Sequence, residues 1–242
     1  EGLMPKAIKK RVPKKTAGAE AEVKDKLATL KYTVKERQKS VLKYGAGILV
    51  IIIAIVSFLL YNYTSHKKAG MFEYEAYKIY HNDYIRQPVN KEEQFKKALD
   101  MFKKAYDIRK SPVSLFYIAG CYYGLGKYDD TLKTLKDFIQ RYSNEDRFIP
   151  LVYHKMAMVY IKKGDLNEAM KTLDTLYNLS SNIYKDFALI EYGRLLEKAG
   201  KLEEAKKKYK ELTNRFPGSP FSEEAKAKLS EELESTRAEK EG

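Results

Sequence analysis

The sequence predicts an all-α protein, a solenoid of helical hairpins preceded by one N-terminal transmembrane helix. Two observations carry this: an uncharged 22-residue run between Lys43 and His66, and a small–large–glycine pattern that recurs three times further on. The composition agrees with both. With 33% of 242 residues charged, the chain is not a polytopic membrane protein. Its single cysteine, Cys121, excludes an internal disulfide, and His66, His81 and His154 stand in no metal-binding spacing, so no cofactor, metal or catalytic chemistry is expected.

The uncharged run, YGAGILVIIIAIVSFLLYNYTS over residues 44–65, is about 33 Å long as a helix, enough for a hydrocarbon core of about 30 Å. Tyr44, Tyr61 and Tyr63 stand where interfacial aromatics belong, and Lys43, Lys67 and Lys68 where headgroup anchors belong. The run begins too deep in the chain, and is followed by too polar a sequence, to read as a cleaved signal; it is expected to be a signal anchor. Seven Lys/Arg lie in the twenty residues before it and three in the twenty after. The positive-inside rule then places the N-terminus in the cytoplasm and residues 66–242 outside, in the periplasm if the source is bacterial. An organelle receptor with an N-terminal anchor has similar parts and would put the repeats in the cytosol.

Residues 1–44 carry +8 of the formal +13. Residues 1–22 combine prolines and basic residues with few large apolar ones, and are expected to be a disordered basic tail. From 23 to 43 the pattern changes. Val23, Leu27, Leu30, Val34 and Val41 follow an a/d stripe that Arg37 interrupts, predicting an amphipathic helix that runs into the span. Its readings are a short coiled-coil contact with a second copy, an interfacial helix on anionic lipid, a basic tail touching nucleic acid or ribosome, or a topology signal alone. Three heptads are too few to define a dimer, and nucleic acid is the weaker partner.

In the soluble part, AGCYYGLGKYDDTLKTL, AMVYIKKGDLNEAMKTL and GRLLEKAGKLEEAKKKY align. Each opens on a small residue (Ala119, Ala157, Gly193) with a large one three later (Tyr122, Tyr160, Leu196). Glycine follows at the seventh place (Gly126, Gly164, Gly200), and Thr131, Ala169 or Ala205 five residues beyond. Small residues let crossing helices approach, and glycine supplies the left-handed turn between them. This resembles the tetratricopeptide repeat. The first copy is the weakest match because Thr131 and Ser143 replace Ala and Pro. Glycine-to-glycine periods of 38 and 36 residues predict lengthened turns near 142–148 and 180–184. A degenerate copy is expected ahead of these, with Ala98, Phe102 and Ala105 on the packing face of its second helix; its first helix, near Ala76, is either separate or an extension of the transmembrane helix. After the third copy, Ser222 is expected to N-cap a C-terminal cap helix.

In that family the first helix of each hairpin lines a concave face. The frame places Phe116, Tyr117 and Tyr123 there from one repeat, and His154, Lys155, Met158, Ile161 and Lys162 from the next. The last contributes Ile190, Glu191, Arg194 and Glu197. This face suits an extended or helical polypeptide, although any one of these residues has an ordinary packing role as its alternative. Some family members clamp a peptide carboxylate with Asn and Lys; Gly120 and Met158 stand at corresponding places here and cannot donate those hydrogen bonds. Cys121 takes a small buried position, and the pairs Glu203/Glu204 and Glu223/Glu224 read as solvated helix faces.

Basic segment, single anchor and outward repeats together resemble the bacterial YfgM-like family of inner-membrane tetratricopeptide proteins. That resemblance implies an ancillary Sec-translocon subunit linked to periplasmic chaperones. The expected function is therefore a non-enzymatic membrane scaffold binding protein or peptide partners. Its alternative is a dedicated envelope-assembly, outer-membrane-assembly or division accessory protein.

Overall fold

The computed structural model describes residues 16–36, 38–81 and 90–230. The chain divides into two compact units, Glu1–Tyr63 and Thr64–Gly242.

The first unit holds α1 (Thr16–Glu36) and the start of α2 (Gln38–His81). The helix opens at Thr16, seven residues before the expected boundary, because Ala17, Ala19 and Ala21 are strong helix formers that offset the polar composition. The remainder of the expected disordered tail lies outside the described residues. Val23, Leu27, Leu30 and Val34 are all exposed. Over Leu42–His81 the chain has a helix long and apolar enough to cross a membrane, with mean hydropathy 2.5 across its most apolar 18 residues and none of them buried.

The second unit opens with the last turns of α2, so the first helix of the degenerate hairpin is an extension of the apolar helix rather than a separate element. Buried and half-buried polar ties hold this end to the repeats. Ser111 Oγ and Ser114 Oγ donate to Glu73 at 2.9 and 2.6 Å, and the largely buried Gln94 amide donates to the terminal carbonyls of Ile79 and Tyr80 at 2.8 and 2.9 Å. Gln94 thereby satisfies two carbonyls that a helix end leaves without intrahelical partners.

Seven helices follow: α3 (Lys91–Ile108), α4 (Pro112–Gly124), α5 (Tyr128–Arg141), α6 (Ile149–Lys163), α7 (Leu166–Asn178), α8 (Lys185–Lys198) and α9 (Leu202–Arg215). Residues 222–230 are helical as well. Three hairpins, α4/α5, α6/α7 and α8/α9, share one turn. Gly126, Gly164 and Gly200 have φ of 69°, 77° and 72°. In each, the glycine N–H reaches the carbonyl three back and the next N–H the carbonyl five back: Lys127 to Tyr122, Asp165 to Tyr160, Lys201 to Leu196, all at 2.9 Å. This double bond pattern closes the first helix and turns the chain. The longer turns fall at 142–148 and 179–184, where the glycine periods place them.

Ala119 and Ala157 are wholly buried where helices cross, and so are Ala98, Phe102 and Ala105 on α3. Thr131 is fully buried too; its hydroxyl donates to the Lys127 carbonyl at 2.9 Å, which satisfies the polar group it adds to the usual alanine. The core is continuous through α4–α8 around Leu135, Phe138, Val152 and Leu173, flanked by Leu189, Tyr209 and Leu212 toward the C-terminus. Ser222 does not cap: its Oγ is buried and unbonded among the described residues. Ser219, in the turn before it, accepts from the Phe221 N–H at 3.1 Å and donates to Asp186 at 2.7 Å.

Candidate protein-binding face

The first helices α4, α6 and α8 carry the twelve candidate contact residues, and packing divides them into groups with different chemistry. Phe116 and Tyr123 lie two turns apart on one face of α4, both half-buried. Lys155 of α6 sets its ammonium over both rings, at 5.6 and 5.2 Å from their centroids. Burial lowers the Lys155 pKa, yet the two π-faces supply the negative potential that keeps the cation there. Phe148, from the lengthened turn, closes on Phe116 at 5.6 Å.

Tyr117 points elsewhere. It stacks on Phe102 at 5.0 Å and meets Tyr80 edge-on at 5.1 Å, and burial, then Tyr77 and Tyr80, push its hydroxyl up to about 12. Tyr80 also occupies the space above Gly120, where an added Cβ would stand 2.8 Å from its hydroxyl oxygen. The place a clamp residue would need is filled by the protein's own ring.

His154 packs flat against Tyr184, with ring centroids 4.1 Å apart and planes 12° apart, and edge-on to Phe187 at 4.4 Å. Burial first, and the neighbouring Lys155 second, lower its pKa to about 4. The imidazole is therefore neutral near pH 7 and engaged as an aromatic. Met158 and Ile161 stay half-buried at the edge of the core, while Lys162 is exposed.

On α8 the expectation needs correction. Ile190 is fully buried and belongs to the core shared with α9, so it is no contact residue. Glu191 pairs with Arg194, and Arg194 grips Glu224 with Nε at 2.8 Å and Nη2 at 2.5 Å. Lys228 adds a bond to Glu197 at 3.3 Å. These charges dock residues 222–230 against α8. Glu224 consequently faces a neighbour rather than solvent, whereas Glu203 and Glu223 pair along their own helices as solvated faces do. Cys121 is buried and its thiol is pushed up to about 12 by burial, a packing residue as its position implied.

Two features escape a repeat frame. Tyr184 adopts a left-handed backbone, φ 62°, at the entrance to α8; the lengthened turn is its only trace in the sequence. The other is a cleft of about 1160 Å³ on the second-helix side, walled by α3, α5 and α7. Leu115, Ile118 and Tyr160 form its floor, with Asp129, Asp130, Lys133 and Lys136 at the rim. None of the twelve candidates lines it. The paired aspartates opening α5 are the only sequence mark it leaves.

Residues 39–234 match the model of the tetratricopeptide repeat-like domain. A heat shock protein sti1 homolog of Schizosaccharomyces pombe is 28% identical over 157 residues, covering 54% of this chain and 27% of that protein. Among solved structures, MamA 41-end from Desulfovibrio magneticus RS-1 is similar with a TM-score of 0.52 at 13% identity, covering 71% of this chain and 96% of that one. The nearly identical TPR-like repeats of a Podosopora anserina putative kinesin light chain give 0.50 at 13% identity, covering 71% and 88%. These structural likenesses show the all-helical repeat fold. With more than half of its length matched, the chain belongs to the tetratricopeptide repeat-like domain family.

Proposed function

We propose that this chain is a non-enzymatic, membrane-anchored scaffold that binds a polypeptide on the face of its first helices. The observation that carries the reading is the patch in which Phe116 and Tyr123 flank Lys155, next to half-buried Met158 and exposed Lys162. Rigid aromatics, an adaptable thioether and a free cation are the groups that a peptide-binding groove uses. The apolar helix within Leu42–His81 supplies the anchor, and the excess of Lys/Arg before it sets the N-terminus in the cytoplasm of a bacterial cell. The repeats then work in the periplasm, at the Sec translocon beside chaperones. A second reading places the partner in the cleft between α3, α5 and α7, which its volume favours.

Photo-crosslinking from position 158, and separately from the exposed position 133 in the cleft, tests both. Crosslinks from 158 to many exported chains and translocon subunits support the scaffold. One dominant envelope protein makes this a dedicated assembly factor. Crosslinks from 133 alone move the site to the cleft, and none from either position overturns polypeptide binding. Met158→Ala with Lys162→Glu should weaken capture from the first-helix face. Lys155 is left intact because a carboxylate placed under the Phe116 and Tyr123 rings would disturb the fold itself.

A further inference from the structure

We infer that α1 lies along the cytoplasmic membrane surface, with its apolar stripe sunk into the headgroup–acyl boundary of a leaflet containing anionic lipid. The inference rests on the anchoring reading above, which brings α1 to within a few residues of the bilayer. Val23, Leu27, Leu30 and Val34 fall on one narrow arc of the helix, and none is covered: they are 57%, 57%, 61% and 48% exposed. An apolar stripe of this kind needs an occupant.

Charge says which one. At 100° per residue, Lys24, Lys31 and Lys35 follow one edge of the stripe and Lys26 the other, while Asp25 and Glu36 lie on the far side with Tyr32, and Glu22 lies between them and Lys26. Lysines bordering an apolar face spread their stems over it and lift their ammonium groups to lipid phosphates, and acids on the opposite face stay in water. Lys26 meets Glu22 at 3.4 Å, but both side chains are largely exposed, so the pair is weak enough to give way to a phosphate. Residues 1–44 carry +8, which matches an anionic leaflet.

A second copy fits less well. A shared membrane topology forces two copies parallel, and the positions flanking the stripe would then set Lys26 of each helix beside Lys31 of the other. Such like-charge flanks disfavour the coiled coil.

The chain has no tryptophan, so one introduced indole is its only strong emitter. Full-length Leu27→Trp, Tyr32→Trp and Phe58→Trp variants would be reconstituted in phosphatidylcholine vesicles with and without phosphatidylglycerol, and quenched with lipids brominated on the acyl chain. With phosphatidylglycerol present, Leu27→Trp should emit to the blue of Tyr32→Trp and be quenched several-fold more. The difference should shrink in pure phosphatidylcholine, and in a Lys24→Gln, Lys26→Gln, Lys31→Gln background. Equal emission and quenching at 27 and 32 overturns the inference. So does blue emission at 27 without lipid quenching, since that reports burial against protein. Phe58→Trp separates the two claims: quenched at 58 but not at 27, only the surface helix fails, whereas no quenching at 58 overturns the anchor and this inference with it.

Discussion

The Tyr209 ring fills the space that a side chain at position 193 would occupy: a Cβ built on Gly193 would stand 2.3 Å from Tyr209 Cε1. Tyr209 is itself 2% exposed and has little room to retreat. Alanine at 193 would ordinarily help a helix by about 1 kcal/mol. Overpacking against a fixed ring costs about 1–3 kcal/mol and should win. Gly193→Ala is expected to lower the melting temperature, followed by circular dichroism, by about 2–6 °C. Tyr209→Leu in that background should recover part of the loss, giving a favourable coupling in the double-mutant cycle. A Gly193→Ala variant as stable as the parent contradicts the close approach.

Arg194 holds residues 222–230 to α8 through Glu224. Both side chains are about a third exposed, so the pair contributes only on the order of 1 kcal/mol even with two-pronged geometry. Removing it should act locally. Glu224→Ala is expected to speed amide hydrogen exchange over 222–230 while leaving α4–α7 unchanged. Unaltered protection there would mean that the Arg194–Glu224 pair does not hold this segment.

His154 predicts an acid sensitivity. Its pKa falls from 6.5 to about 4 through burial and then Lys155. Between those values the unfolded chain binds a proton that the folded one refuses, so stability rises with pH across the window. The contribution is fully present above about pH 6.5 and is lost as pH drops toward 4. Allowing for partial exposure, it amounts to about 1–2 kcal/mol. His154→Gln should therefore show a shallower loss of stability than the parent between pH 6.5 and 4. Parallel curves would contradict the burial of a neutral ring.

The backbone was more legible than the site. Gly126, Gly164 and Gly200 announce the three turns because no other residue adopts that conformation so readily, and Ala119, Ala157 and Gly193 announce the crossings because anything larger would collide. These are steric requirements, and each leaves a residue type behind. Which face a first helix turns to solvent leaves no such mark. Ile190 and Arg194 share a frame with Met158, yet Ile190 turns into the core against α9 and Arg194 is engaged by a helix thirty residues downstream. Tyr117 reads as a groove aromatic until the end of α2, arriving from outside the regular repeat, buries it against Phe102. Ser222 reads as a cap from its residue type, yet its hydroxyl is buried without a bond, and it is Ser219, in the preceding turn, that reaches Asp186.

Tyr184 gives the last prediction, because two opposing terms meet in one residue. Its left-handed backbone, φ 62°, costs a residue with a side chain about 1 kcal/mol relative to glycine. Its ring returns stacking on His154 and contact with Phe187. Tyr184→Ala keeps the backbone cost and loses the ring. Tyr184→Gly loses the ring but relieves the cost. The glycine variant should thus be the more stable of the two by about 1 kcal/mol, reversing the usual order in which alanine is preferred. Both should raise the His154 pKa, read by NMR titration of its ring protons, since uncovering the imidazole restores hydration of its charged form. An alanine variant more stable than the glycine variant would show that the turn does not hold Tyr184 in the left-handed region.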